Sequence, residues 1–404
     1  MVTGLARNPD RARVKHLSID WIKADLAEMT DPSDWHGVLN SHQLVINCAG
    51  ALQDGLSDDL AATQERAMLA LYTAASKSAI ELVVQISART EGGGQDQPFL
   101  ATKRNADKAL AASGLNHIIL RPALVIGRNA HGGTALLRAL AAMPLVLPLI
   151  HAQSPIETVS VDDVAAIVSA AIAGEFQSGT DIDLAAGEAL TLRELVVLHR
   201  NWLGLPPARL VPIPAGLAKP ITRAADIAGR LGWRSPLRST AMAVMSEGVL
   251  SRRNARHLPS RPLATVVETL DANPSGVQDL WFARLYLLKP LMISGLALFW
   301  MLSGIIPMLS PIAASRHFLP FMPDGMATAL TLTTCLLDIA LAAFVLVRPF
   351  ARSALLGMLA VTLGYLAGGT LIEPSLWLDP LGPFVKILPS ILLTFATLAV
   401  LEER

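Results

Sequence analysis

The chain has 404 residues, and its 33 lysines and arginines balance 33 aspartates and glutamates, so the formal net charge is zero. That balance offers no concentrated basic face for nucleic acid, and two cysteines, Cys48 and Cys335, exclude a disulfide framework and a cysteine-based zinc site. The hydrophobic share is 52% against 16% charged, more apolar than an ordinary soluble domain, so part of the chain is expected to dissolve in lipid.

In chain order, short apolar runs at 44–46, 82–86 and 118–120 predict strands, and stretches at 60–77 and 102–112 predict helices between them. This alternation argues for a parallel sheet covered by helices on both faces. Ser113-Gly114-Leu115 supplies a helix stop before the third run. From about Gly132 the pattern loosens into proline-bearing loops and helices, expected at 192–202 and 221–231. Residues 250–276 hold four arginines and three prolines and read as a linker.

Beyond residue 290 the charge almost disappears. Residues 291–401 carry eight charged side chains, where residues 1–290 carry 55. Four apolar stretches, at 291–309, 326–347, 353–372 and 381–401, are 19 to 22 residues long, close to the roughly 20 that cross a hydrocarbon core. Arg252, Arg253, Arg256, Arg261, Arg284 and Lys289 precede the first stretch, and Arg348 and Arg352 separate the second from the third. The loop at 373–380 has neither lysine nor arginine, and Arg316 is the one dissent. By the positive-inside rule, the soluble part and both termini are expected in the cytoplasm, with the spans in a bacterial-type inner membrane. The aromatic, leucine-rich and basic segment 279–289 is expected to lie along the membrane surface. Asp338 and Lys386 fall inside apolar spans, where they are costly unless they face the bundle or each other; Lys386 has the alternative of snorkelling to the interface. Gly364-x-x-x-Gly368 is expected to serve helix packing.

The string from Phe99-Leu-Ala-Thr-Lys103 to Leu120-Arg121-Pro122 and Gly127 resembles the extended and atypical short-chain dehydrogenase/reductase superfamily. There a Tyr-x-x-x-Lys helix leads into a strand ending in Arg-Pro. Val45-Ile-Asn-Cys48-Ala49-Gly50 is similar to the family's fourth strand and its nucleotide-contacting turn, and Ala24-Asp25-Leu26 to the Asp-Leu bordering the adenine. Val159-Ser-Val-Asp162-Asp163-Val-Ala is similar to its later Val-x-Asp-Val-Ala element. The closest flavour is that of the NmrA-like and complex I accessory-subunit groups, and the four-span part resembles a DoxX-like membrane domain. The resemblance implies an α/β, Rossmann-like doubly wound sheet over residues 1–250, a basic linker and interfacial helix over 251–290, and an all-α four-helix transmembrane domain over 291–404.

Two departures shape the functional reading. The family opens with a strand and a Gly-x-x-Gly-x-x-Gly turn that brings backbone to the pyrophosphate. Here Val2-Thr-Gly-Leu-Ala-Arg7 is similar instead to the second strand and the basic residue after it, which in relatives meets the 2′-phosphate of NADP. Arg7 has a second reading, a solvated arginine before a Pro-Asp turn. Without the first strand, backbone edges would be buried unpaired at about 1–3 kcal/mol per group, so the native chain is expected to be longer by roughly 30 residues, one strand–helix unit.

The second departure is Phe99, which stands where the family has its proton-donating tyrosine. Ser87 and Lys103 occupy the positions of the remaining catalytic pair, with a surface lysine as the plainer reading of Lys103. The expected cofactor contacts are Arg7, Asp25, Leu26, Cys48, Ala49, Gly50, Lys103 and Pro122, with NADP as the implied cofactor. His117 reads as a strand-edge residue, and the histidines show no metal-ligand spacing. The reading is a membrane-anchored nucleotide binder acting as sensor, scaffold or assembly factor, with membrane lipid and a membrane protein complex as partners. The alternative is an NADPH-dependent oxidoreductase or epimerase working on a lipid-soluble substrate such as a quinone or isoprenoid.

Overall fold

A computed structural model describes residues 2–15, 18–50, 54–56, 58–90, 97–250, 254–255, 262–380 and 382–402. The chain divides into two compact units. One comprises Met1–Arg230 with Ser235–Asp279, the other Leu231–Arg234 with Leu280–Arg404.

In the first unit, strands β1 (Thr3–Ala6) and β2 (Asp20–Lys23) pair in parallel. Strands β3 (Leu44–Asn47), β4 (Leu82–Ile86), β5 (His117–Pro122), β6 (Thr180–Leu184) and β7 (Asn254–Ala255) form a five-stranded parallel sheet in the order β7-β6-β5-β4-β3. The central strands β4 and β5 are largely apolar because both faces of the sheet are covered there. Val83 and Ile119 pack with Leu71, Tyr72 and Leu110 from helices α1 (Ala67–Ala75) and α2 (Pro98–Ala112). Their sequence neighbours Val84, Ile118 and Leu120 point the other way, onto Ile167 and Ala171 of helix α3 (Val161–Ile172). A period of two sorts one strand between two cores.

Among the described residues no ladder joins β1 to β3. Thr3 Oγ1 meets His42 Nε2 at 2.8 Å, and Leu5, Ala24 and Leu26 pack on the core that also holds Val45. Leu44 and Ile46 of β3 remain 38% and 44% exposed.

The stretch after Gly132 is richer than expected. Pro155–Ser160 pairs with Leu124–Ile126 and Ala189–Thr191, and Val146–Leu149 with Arg209–Pro212. Helices α4 (Leu192–Trp202) and α5 (Ala215–Arg230) match the two helices anticipated there. The linker expectation needs correction. Residues 251–253 and 256–261 lie outside the described residues, but β7 joins the main sheet, Leu263 is buried in its core, and Thr265 and Glu268 close a capping box on helix Val266–Asp271. These residues belong to the soluble unit, whose boundary falls at Asp279.

The second unit holds helices α6 (Val277–Met308), α7 (Asp324–Leu346), α8 (Ala351–Ile372) and α9 (Pro383–Val400), of 32, 23, 22 and 18 residues, each long and apolar enough to cross a membrane. Leu296, Trp300, Ala342, Val345, Leu355 and Met358 form their common core. A third or less of each apolar window is buried within the chain, and the remaining side chains require lipid around them. The chain is a membrane protein.

The segment 279–289 is not a separate surface helix, because α6 runs unbroken through Pro290. Asp338 does face the bundle, but its partners are Ser303 Oγ at 3.0 Å and the Tyr365 hydroxyl at 2.9 Å, each donating. Lys386 is exposed in the second turn of α9. Gly364 and Gly368 meet nothing within 4 Å of an added Cβ; close approach occurs instead at Gly304, where that Cβ would lie 2.5 Å from the Cys335 carbonyl.

Within the soluble unit, burial and a 2.8 Å contact between Nδ1 and the Leu195 carbonyl accompany an acidic shift of His199. Burial lowers its pKa from the ordinary 6.5 to about 4. The folded state holds this ring neutral while the unfolded chain protonates it, so stability falls as pH drops from 6.5 toward 4, by about 3 kcal/mol in all. Hydrogen exchange of the soluble unit should show this acid loss in wild type and a flatter profile in His199→Asn over the same window.

Candidate functional site

The carboxyl ends of parallel strands form a crevice that fold geometry makes available to ligands. At the end of β3 the Asn47 side chain organises the next turn. Its Oδ1 accepts from the Ala49 N–H at 2.9 Å, and its Nδ2 donates to Gln85 Oε1 at 2.8 Å. The Tyr72 hydroxyl donates to the same Gln85 oxygen at 3.0 Å, and burial pushes the phenol's pKa up. This buried net sets the Cys48–Ala49–Gly50 turn above it, with Cys48 exposed.

Helix α2 brings Lys103 beneath that turn. Pro98 at its first position and extended Gln97 before it start the helix. Lys103 is 9% exposed, and its Nζ donates to the Ile86 carbonyl at 3.2 Å. A Cβ on Gly50 would sit 3.6 Å from that Nζ, at ordinary contact distance, so the turn lies directly against the ammonium. Burial lowers the Lys103 pKa and Asp107 opposes the shift.

Asp107, one turn further along α2, gathers the rest. Its Oδ2 accepts from Ser87 Oγ at 2.6 Å and pairs with Arg121 Nη1 at 2.8 Å. Arg121 also holds Asp181 through Nε at 2.7 Å and Nη2 at 3.1 Å, and donates to the Ala88 carbonyl and Thr90 Oγ1. Burial pushes the Asp107 carboxyl up against the pull of Arg121. Its Oδ1 is buried with no hydrogen-bond partner among the described residues.

The expected site residues are thus grouped unequally. Cys48, Ala49, Gly50, Ser87 and Lys103 come together at the ends of β3 and β4. Phe99 lies half-buried one turn before Lys103. Pro122 ends β5 in register with Leu184 of β6. Arg7 and Asp25 follow β1 and β2; Arg7 is paired with Asp58 at 3.0 Å, and Asp25 Oδ1 accepts from the Ala27 N–H at 3.0 Å. Leu26 is part of the core. Asp107, Arg121 and Asp181 were missing from the expected set, although a carboxylate on the Lys103 face of an alanine-rich helix was a visible signal. A separate cavity of about 440 Å³ bounded by Ser160, Asp163, Leu263 and Glu268 shares none of these residues.

The ion network and the lysine should respond differently to substitution. Arg121→Met strands the Asp107 carboxylate in a dry site and should cost about 3–5 kcal/mol, whereas Lys103→Met should stay within roughly 1.5 kcal/mol of wild type, the net worth of one hydrogen bond. Hydrogen exchange of β4, β5 and α2 in the full chain measures both.

Comparison with known proteins adds the following. Residues 1–175 match the NAD(P)H-binding family and residues 297–395 the DoxX-like family. No curated protein matches the chain. Among solved structures, a double mutant of DesIV, a dTDP-glucose 4,6-dehydratase from Streptomyces venezuelae with NAD bound, is 19% identical, with 53% of this chain and 76% of that one covered and a TM-score of 0.43. UDP-glucuronic acid 4-epimerase from Bacillus cereus with NAD is 16% identical over 50% and 73%, with a TM-score of 0.42. The protein gox2253 is 18% identical over 69% and 89%, with a TM-score of 0.49. Likeness at this level assigns neither activity nor substrate. The chain joins an N-terminal domain with a Rossmann-like parallel sheet, matched by the NAD(P)H-binding family, to a C-terminal membrane domain matched by the DoxX-like family.

Proposed function

We propose that the soluble unit holds the nicotinamide end of an NADP molecule without using it for conventional dehydrogenase chemistry, and acts at the membrane as a nucleotide-binding sensor, scaffold or assembly factor. The residues present fit the ribose side of such a ligand: the Gly50 backbone lies beside an ammonium, and Lys103 supplies donors for ribose hydroxyls. A bound nicotinamide would supply hydride transfer. The chain's own residues do not supply the accompanying proton, because Phe99 has none to give.

The observation that carries this reading is the Ser87 hydroxyl, which donates at 2.6 Å to buried Asp107 and so points its proton away from a substrate. The preference for NADP over NAD rests on Arg7. Its pairing with Asp58 is half exposed on the arginine side, and such pairs are worth about 0–1 kcal/mol, so a 2′-phosphate competes for the guanidinium at small cost. The basic residues Lys289, Arg348 and Arg352 support a cytoplasmic position for the soluble unit and both termini, with the spans in a bacterial-type inner membrane. The surrounding lipid and a membrane protein complex are the partners this reading requires.

Phe99→Tyr tests the assignment. Full-length wild type in lipid, given NADPH and membrane-soluble carbonyl compounds, should show no turnover above background. Phe99→Tyr should raise the rate by roughly 10²–10⁴-fold, the usual range for a restored general acid. Turnover by the wild type at an enzyme's ordinary rate would replace the proposal with that of a reductase or epimerase on a lipid-soluble substrate.

A further inference from the structure

Helix α5 presents three faces, spaced by its 3.6 residues per turn. Ala218, Ala225 and Gly229 form a buried small-residue face. Gly229 is pressed against Arg238, whose guanidinium an added Cβ would meet at 2.6 Å. Arg238 reaches Asp226 at 3.4 Å and the Asp54 carbonyl at 3.0 Å, and the Ser239 N–H donates to Asp226 at 3.2 Å. This edge fixes the helix to its own unit. Lys219, Arg223 and Arg230 join Asp226 on a charged second face.

The third face is apolar and uncovered. Leu217, Ile221 and Ile227 are 65%, 50% and 59% exposed, with exposed Ala224 between them. An aliphatic face of this kind on a helix with adjacent basic residues suits the boundary between headgroups and acyl chains, where such helices sink by about 5–10 Å.

What lies next in the chain identifies the occupant. The helix ends at Arg230, and Leu231–Arg234 belong to the helical unit. The Leu231 carbonyl accepts from the Arg348 N–H at 2.9 Å, and Trp233 Nε1 donates to the Leu346 carbonyl at 2.6 Å. Lys289 and Arg348 lie over the Trp233 ring, 5.8 and 5.4 Å from its centroid. Both also donate to the Leu401 carbonyl, at 3.0 and 3.2 Å. Leu346 and Leu401 mark the ends of the second and fourth spans, where a bilayer surface meets the bundle. An indole ringed by cations is the usual chemistry of that depth.

We propose that α5 is an in-plane membrane helix, with Leu217, Ile221, Ala224 and Ile227 in the bilayer interface and Lys219, Arg223 and Arg230 directed at anionic phospholipid headgroups. The chain continues from α5 directly into the residues that meet the span ends. A second copy of the chain is the poorer occupant, because face-to-face pairing would bring the basic stripes of two helices together. The inference rests on the four spans and is independent of nucleotide binding.

The test uses full-length protein with Cys48→Ser and Cys335→Ala, carrying one nitroxide at Ile221→Cys, Ala224→Cys, Ile227→Cys or Arg223→Cys, in vesicles of phosphatidylcholine with phosphatidylglycerol. At positions 221, 224 and 227, collision with dissolved oxygen should exceed collision with a water-soluble nickel chelate several-fold, and at 223 the order should reverse. Replacing Lys219, Arg223 and Arg230 by Gln, read from a nitroxide at 221, should reduce the oxygen preference. Equal access of the nickel chelate to 221, 224, 227 and 223 would place the face in water and overturn the proposal. Exclusion of both reagents from the apolar positions would overturn it in favour of a protein partner. Three independent label sites on an exposed face keep the result readable if one variant folds poorly.

Discussion

The Arg121 guanidinium holds the working end of the soluble unit together. It lies on β5 and pairs with Asp107 of α2 and Asp181 of β6 while also binding the Ala88 carbonyl after β4. A charge so little exposed survives because two carboxylates face it and every nitrogen of the group has an acceptor. The consequence is positional. With Asp107 tied to Arg121 and Ser87, helix α2 can rotate little about its axis, and Lys103 is aimed at the turn after β3. Three strand ends and one helix therefore act as a rigid frame around Gly50 and Lys103.

The same frame underlies the proposed reading of the site as a nucleotide holder without conventional dehydrogenase chemistry. Lys103 lies against the turn after β3, the Ser87 hydroxyl is engaged by Asp107 in the ion network, and Phe99 presents a hydrocarbon ring one turn before the lysine. On that reading binding requires only hydrogen bonds and packing, which this arrangement offers. Proton transfer would need a specific acid within reach, and the proposal is that Phe99 does not provide one. The membrane unit follows a parallel economy of polar groups, with Asp338 satisfied by Ser303 and Tyr365 from the first and third spans, so a costly carboxyl becomes a link among three helices.

Much of this was legible in the residues. The fully apolar runs that became β3, β4 and β5 announced a sheet buried on both faces, and the loss of charge after residue 290 announced the spans. Strand β6 was not legible, because Thr-Asp-Ile-Asp-Leu reads as loop until Arg121 arrives from the neighbouring strand to neutralise Asp181. The arginines and prolines of 250–276 suggested a linker, although Thr265-x-x-Glu268 already carried a capping-box signature. Segment 279–289 has the composition of a surface helix. Yet its Lys289 ends on the Leu401 carbonyl, and the apolar surface helix lies instead in α5, where small buried residues obscured the pattern. Within the site, sequence order supplied Gly50, Ser87 and Lys103, but only tertiary contact reveals that Ser87 is occupied by Asp107.

The most direct measurement is calorimetric titration of the intact, lipid-reconstituted protein with NADPH, NADP, NADH and NAD, with Lys103→Met run alongside. The account predicts saturable binding by wild type and an affinity lower by roughly 10- to 100-fold in Lys103→Met, the worth of a hydrogen bond from a charged group. A wild type with no affinity for any pyridine nucleotide, or a Lys103→Met variant that binds as tightly as wild type, would contradict it.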